Sequence, residues 1–256
     1  MIQDIEKYAL QRGISRQDAL QVFMQTIVLK NMNYKGVRLI GGTSLVIGYD
    51  NPRFSEDIDL TGVSNPQSLR TYIEKARKTI EGFLECDIKV VPPKADRNTW
   101  RILCRLRDGL GAKLHIDSQP YQSLSQHSLM VEYPGVSPFV FPSVEKDEVM
   151  ADKLVALAFR NNISGRDIFD LWYHWLKNED PCGSEELIRK YVEEKLSLRA
   201  LKKKDFLNNI QSRLKKGIDK RILEEWERYL PTGLKNDKLY QQIFLTVKQY
   251  LESIEL

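Results

Sequence analysis

The chain has 256 residues, 42% of them hydrophobic and 29% charged, with a formal net charge of +4. That length allows one large domain or two modest ones with a sizeable core, and no low-complexity tract interrupts it. The longest apolar runs, such as Leu154 to Phe159, are too short to span a membrane.

The opening MIQDIEKYAL carries an early Asp4 and no extended apolar stretch, so it does not read as a signal peptide. Cys86, Cys104 and Cys182 lie far apart, as do His115, His127 and His174, with no CxxC or HxxxH spacing. This argues against a zinc site on thiolate or imidazole, so a metal here would take oxygen ligands. Sparse, odd-numbered cysteines suit a reducing compartment, and the expectation is a soluble cytoplasmic protein.

The first stretch reads as helix. Ser15-Arg16-Gln17-Asp18 has capping-box spacing, with Asp in place of Glu, and leads into DALQVFMQTIVLKNM, apolar at steps of three and four. Asn33-Tyr34-Lys35-Gly36 ends that helix, and Val37 to Ile40 reads as a short strand. Gly41 and Gly42 lead directly into a short helix over Thr43 to Tyr49, and Asp50-Asn51-Pro52 is a turn signal. Asp57-Ile58-Asp59-Leu60 alternates polar and apolar, as a half-buried strand does.

A helix follows over Gln67 to Leu84, opened by Asn65-Pro66. Strand-like segments come next at Asp87 to Val91, Thr99 to Arg107 and Ala112 to Ile116, the last ending at Asp117. Asp108-Gly109 is a hairpin turn between the second and third of these. Residues 118–143, with Pro134, Pro138 and Pro142, read as irregular. Helices are then expected over Val144 to Arg160, Arg166 to Leu176, Ser184 to Leu196, Leu201 to Lys215, Ile218 to Tyr229 and Asp237 to Ile254. The predicted class is α+β: a domain with a small mixed sheet over residues 1–142, then an all-helical domain over 143–256 that contributes to an active-site cleft.

Charge is unevenly spread. Arg189 to Arg221 contains twelve Lys or Arg against four Asp or Glu, a local excess of +8. Such an excess suits a nucleic acid backbone, and it equally suits a set of solvated helix faces.

Several chemistries fail on the residues. There is no GxxxxGK[ST] and no GxGxxG after a strand. Asp57-Ile58-Asp59-Leu60-Thr61-Gly62 starts like an EF-hand loop, but Ser68 stands where a bidentate Glu is required. What remains is Gly41-Gly42-Thr43-Ser44 with Asp57 and Asp59. A glycine-preceded helix start offers unpaired N–H groups to a phosphate, and Thr43 or Ser44 adds a hydroxyl. Asp57 and Asp59, at i and i+2 of a strand, share a face and suit Mg²⁺, which favours carboxylate and phosphate oxygens. Asp117 is the candidate third carboxylate. Three acids with Mg²⁺ suit in-line attack of a hydroxyl on a nucleotide α-phosphate.

GG[ST] followed about fifteen residues later by Asp-Ile-Asp resembles the signature of the DNA polymerase β-type nucleotidyltransferase superfamily. Arg53-Phe54-Ser55-Glu56-Asp57-Ile58-Asp59 resembles the AbiEii/AbiGii toxin family within it. So does the later block Asp152 to Arg160 with Arg166 to Leu171; the two blocks lie within residues 37–62 and 144–172. The resemblance implies a polymerase β-like fold and a nucleotidyltransferase toxin of a bacterial toxin–antitoxin or phage-defence pair, with an antitoxin as partner. It implies that Gly42 and Thr43 or Ser44 hold the triphosphate, that Asp57 and Asp59 hold Mg²⁺ and that Lys153 meets phosphates. Gly41, Arg53, Ser55 and Arg160 are the further expected NTP contacts, and strand order alone adds Asp117 to the metal set. Asp167 matches the acid of the second block. Related toxins add nucleotides to the 3′ end of tRNA and stop translation.

Plainer readings stand beside these. Gly41-Gly42 also fits an ordinary turn, and Asp117 a strand-end turn residue. Lys153 also fits a side chain snorkelling from an apolar helix. Ser164 and Asp167 have capping-box spacing. His115 reads as structural, and Trp172, Tyr173 and Trp175 as packing of the helical half.

Overall fold

The computed structural model describes residues 1–94, 97–121, 123–177 and 185–253. Cys182 and the predicted helix ends at Ser184 and Ile254 lie outside the described residues. The chain forms two compact units, Met1–Val144 and Glu145–Leu256.

The first unit is built on a seven-stranded mixed sheet. Its elements in chain order are α1 (Ile2–Arg12), α2 (Arg16–Asn31), β1 (Arg38–Ile40), α3 (Gly41–Gly48), β2 (Asp57–Thr61), α4 (Arg70–Phe83), β3 (Cys86–Val91), β4 (Thr99–Leu106), β5 (Gly111–Gln119), β6 (His127–Tyr133) and β7 (Val136–Ser143). The strand order is β3-β4-β5-β2-β1-β7-β6. β1 runs antiparallel to β2 and parallel to β7, and β2 runs parallel to β5.

Helix α2 begins where the sequence places it, with the Ser15 hydroxyl accepting from the Asp18 N–H at 3.1 Å. Every residue from Asp18 to Leu29 is buried. A helix apolar on one face alone could not be covered so completely; α2 packs on α4 and α1 and also meets β5, β6 and β7. Its polar interior residues are used: Gln21 Nε2 donates to the Glu56 carbonyl at 2.6 Å, and Gln25 Nε2 to that of Ser55 at 2.9 Å. The buried helix thereby fixes the chain leading into β2.

Three differences from the sequence reading concern this unit. Helix α4 starts later than Gln67, because Asn65 Oδ1 accepts from the Gln67 N–H and Pro66 opens a 3₁₀ turn over Pro66–Leu69 first. β5 continues past Asp117 to Gln119, so Asp117 lies within a strand and not in a turn. Residues 127–143, read as irregular, form the β6–β7 hairpin. Pro134 falls in its turn, beside Gly135 at φ +73°. Pro138 and Pro142 are tolerated on β7, whose pairing to β1 is confined to Leu39 opposite Ser143, so no continuous row of N–H donors is needed there.

The second unit is helical: α5 (Lys146–Phe159), α6 (Gly165–Leu171), a π-helical turn (Trp172–Leu176), α7 (Glu185–Leu198), α8 (Lys203–Leu214), α9 (Lys220–Tyr229) and α10 (Asp237–Ser253). The π turn closes through the Lys177 N–H to the Trp172 carbonyl at 2.7 Å. Trp172 and Trp175 are buried, and Trp175 meets Tyr250 edge-on with centroids 4.7 Å apart, so these aromatics pack this unit. Lys195 is buried between Glu148 at 3.0 Å and Asp152 at 2.9 Å, tying α7 to α5. Among the described residues no helix is long and apolar enough to cross a membrane.

Candidate active site

The site in the first unit starts from a change of direction at Gly41. β1 ends at Ile40, and Gly41 at φ +73° turns the chain straight into α3, a conformation that costs glycine little. Ile40 pairs with Asp59 across β1 and β2, so the turn lies against that carboxylate. A Cβ on Gly41 would lie 2.5 Å from Asp59 Oδ2. Gly42 has the same character toward Arg53 and Ser55: its missing Cβ is where the guanidinium Nη2 sits, with Ser55 Oγ at 3.2 Å from that position. Arg53 is 2% exposed, and its Nη1 donates to the Phe54 carbonyl at 2.8 Å.

The hydroxyls after the glycines face inward. Thr43 is buried, donates to the Asp57 carbonyl and lies 2.8 Å from Ser55 Oγ. Ser44 donates to the Gly41 carbonyl at 2.7 Å. These bonds hold the turn, α3 and the start of β2 as one piece; the backbone N–H groups at the start of α3 face no such demand within the helix.

Asp57 and Asp59 are half-buried and project to one face of β2. The parallel register sets Asp57 beside His115 and Asp59 beside Asp117 on β5. β4 continues the two rows, with Arg101 beside His115 and Thr99 beside Asp117. Asp57 Oδ1 lies 3.1 Å from His115 Nδ1. Burial pushes the Asp57 carboxyl above its ordinary range; His115 opposes the shift, while Glu56 and Asp117 add to it. Thr99 Oγ1 donates to Asp117 Oδ1 and fixes that carboxylate. His115 and Thr99 were not singled out as site residues in the sequence, because only strand register reveals what they touch.

Among the described residues no group of three or more His, Cys, Asp or Glu is gathered as a ready-made metal cage. The donor set nonetheless fits Mg²⁺, which keeps waters and uses one or two carboxylates plus substrate phosphates in place of an all-protein cage. A carboxylate pair in a cradle that a Gly41 Cβ would fill, with Asp57 disfavoured as an anion by burial, is a setting a cation would relieve.

Lys153, Arg160 and Asp167 come together in the second unit. Lys153 Nζ lies 2.7 Å from Asp167 Oδ1 and 3.0 Å from Asp170 Oδ2, and Arg160 Nη1 lies 2.7 Å from Asp167 Oδ2. Asp167 therefore does not complete a capping box: its carboxylate holds two cations, while the Ser164 hydroxyl donates to Glu225 at 2.6 Å.

A mixed sheet with a glycine-entered helix beside two carboxylates on one strand face is an arrangement suited to phosphoryl-group transfer. A family model described as nucleotidyl transferase AbiEii toxin, type IV toxin–antitoxin system, matches residues 35–252. The chain belongs to this AbiEii nucleotidyltransferase toxin family. Among solved structures it is similar in fold to MenT4, a nucleotidyltransferase toxin from Mycobacterium tuberculosis, with a TM-score of 0.68 at 16% identity, covering 100% of this chain and 90% of that one. A protein from Helicobacter pylori, provisionally assigned as a nucleotidyltransferase, aligns with a TM-score of 0.51 at 16% identity, over 95% of this chain and 100% of that one. No curated protein gives a significant sequence match.

Proposed function

We propose that the chain uses Mg²⁺ to transfer a nucleoside monophosphate from an NTP to the 3′ end of an RNA acceptor, tRNA being favoured, and so blocks translation. The observation that carries this reading is the packing of Asp59 against the Cβ-free Gly41, which sets a phosphate-binding helix start beside a carboxylate pair. Asp57, Asp59 and Asp117 would hold the metal, whose charge would offset that of the triphosphate and of the transition state.

The protein's own groups do the rest. The acceptor oxygen forms a bond to the α-phosphorus, the bond to the bridging oxygen breaks, and pyrophosphate leaves. The start of α3 and the buried Arg53 supply positive field for that pyrophosphate. Asp117, held by Thr99, takes the acceptor's proton. Lys153, Arg160 and Asp167 are assigned to phosphate binding on family resemblance, Asp167 aligning the two cations. An antitoxin partner and a cytoplasmic setting belong to the same reading.

The RNA acceptor is supported by charge. Much of the basic stretch pairs internally, as with Lys195, Arg199 to Asp152 and Lys203 to Glu193. Lys202, Lys204, Lys215 and Lys216, around α8, are exposed and have no carboxylate partner among the described residues. Exposed unpaired lysines suit a phosphate backbone.

The test is incubation with each α-labelled NTP, Mg²⁺ and total tRNA, beside an Asp57→Asn/Asp59→Asn variant. Label on tRNA that the variant does not produce supports the reading and identifies the NTP. Label on the protein instead moves it to protein nucleotidylation, and NTP binding without transfer to any acceptor overturns it.

A further inference from the structure

A second feature of the first unit lies outside the carboxylate cradle. A pocket of about 350 Å³ is lined by Lys94, Arg97, Thr99, Arg101, Lys113 and His115. Lys94, Arg97 and Lys113 are exposed and Arg101 is half-buried. None of these four cations pairs with a carboxylate among the described residues. A group of long basic side chains around one concavity, with no ion pair to any of them among the described residues, favours an anion there.

The pocket is joined to the carboxylates by register. One row across β4, β5 and β2 reads Arg101, His115, Asp57; the next reads Thr99, Asp117, Asp59. Neighbouring strands are about 4.8 Å apart, so Arg101 lies roughly 10 Å from Asp57, backbone to backbone. His115 reaches from the pocket wall to Asp57 at 3.1 Å, and Thr99 from the same wall to Asp117.

The sheet order decides which anion this is. The glycine turn and α3 flank β2 on the β1 side, whereas the pocket flanks it on the β5 and β4 side. In-line displacement puts the entering hydroxyl and the departing pyrophosphate on opposite sides of the α-phosphorus. With pyrophosphate on the β1 side, the acceptor enters from the β5 side, across the pocket.

We propose that this pocket holds backbone phosphates of the acceptor RNA next to its 3′ end, with Arg101 and Lys113 as the main contacts and Lys94 and Arg97 at the rim. This rests on the transfer reaction proposed above. Arg101 and Lys113 position the acceptor and set its class, a polyanion in place of a small neutral alcohol.

The experiment compares wild type, Arg101→Gln/Lys113→Gln, the charge-keeping Arg101→Lys, and a charge-matched control, Lys75→Gln/Lys78→Gln on exposed positions of α4. Transfer gives KM for total tRNA and for NTP; filter binding gives tRNA affinity over a salt series, and thermal melting confirms folding. The expected result for the pocket variant is a tRNA KM raised about tenfold with NTP KM within twofold. Its salt slope should be shallower by about 0.7 to 0.9 for each phosphate that the protein no longer neutralises. Arg101→Lys should keep most of the affinity.

A tRNA KM and salt slope equal to the control's overturn the proposal, as does an NTP KM that rises with the tRNA KM. If wild type transfers no label but binds tRNA through Arg101 and Lys113, the transfer reading falls and the phosphate site stands. If wild type binds no tRNA, the phosphate site falls.

Discussion

Gly41 leaves the space that Asp59 fills: a Cβ there would lie 2.5 Å from Asp59 Oδ2, and the backbone already sits at φ +73°. Gly41→Ala must displace a movable carboxylate and hold an alanine in the left-handed region, at about 1 to 2 kcal/mol. The expected outcome is a modest loss in denaturant melts but a fall of about a hundredfold or more in transfer, because the carboxylate is what moves. Near-normal transfer by a folded Gly41→Ala protein would show that Asp59 need not occupy this position.

Lys153 lies between two carboxylates, Asp167 and Asp170, that are 2% and 0% exposed. Lys153→Met takes the cation from between two buried carboxylates, leaving Arg160 as the ion-pair partner of Asp167, and the expected destabilisation is about 3 kcal/mol. Arg160 is 55% exposed, so Arg160→Ala should cost under about 1 kcal/mol. Urea denaturation of both variants checks the contrast. A Lys153→Met protein of wild-type stability that has lost NTP binding would make Lys153 a phosphate ligand and not a strut.

Asp147 is 8% exposed in the first turn of α5, and its Oδ1 receives no hydrogen bond among the described residues. Burial pushes its carboxyl above the ordinary 3.8, with Lys146 opposing and Glu145 adding. The folded state therefore holds this proton more tightly than the unfolded chain, and the group's contribution to stability falls as pH rises from 3.8 through the raised value. Asp147→Asn removes that fall. Melts at several pH values should show the variant gaining on wild type as pH rises, with little difference in acid. A gap independent of pH would refute the assignment.

Cys86 and Cys104 lie diagonally across β3 and β4, where Ile88 pairs with Cys104. Burial pushes both thiols up, Cys104 the further. At pH 7.5 both should react with iodoacetamide roughly tenfold or more slower than a free thiol, and at the ordinary rate in urea. Peptide mapping after timed alkylation reads each cysteine separately. Rapid labelling of Cys86 in the folded protein would contradict this environment.

The sequence alone determined the elements whose cause is local. Ser15 as a cap, Gly41 and Gly42 opening α3, and alternation through Asp57 and Asp59 are short-range consequences of hydrogen bonding, backbone freedom and period. Family membership, carried by two blocks of side chains, was legible for the same reason.

The tertiary structure decided what depends on partners distant in sequence. The β6–β7 hairpin was hidden by Pro138 and Pro142, which become acceptable once β7 has little pairing on one side. The partner of Asp167 was hidden because capping-box spacing is local, whereas Lys153 and Arg160 reach it from another helix. The rows Arg101, His115, Asp57 and Thr99, Asp117, Asp59 exist only after β4, β5 and β2 choose their register. Register is a collective result of burying one face of every strand, so no single segment encodes which of its polar residues will meet.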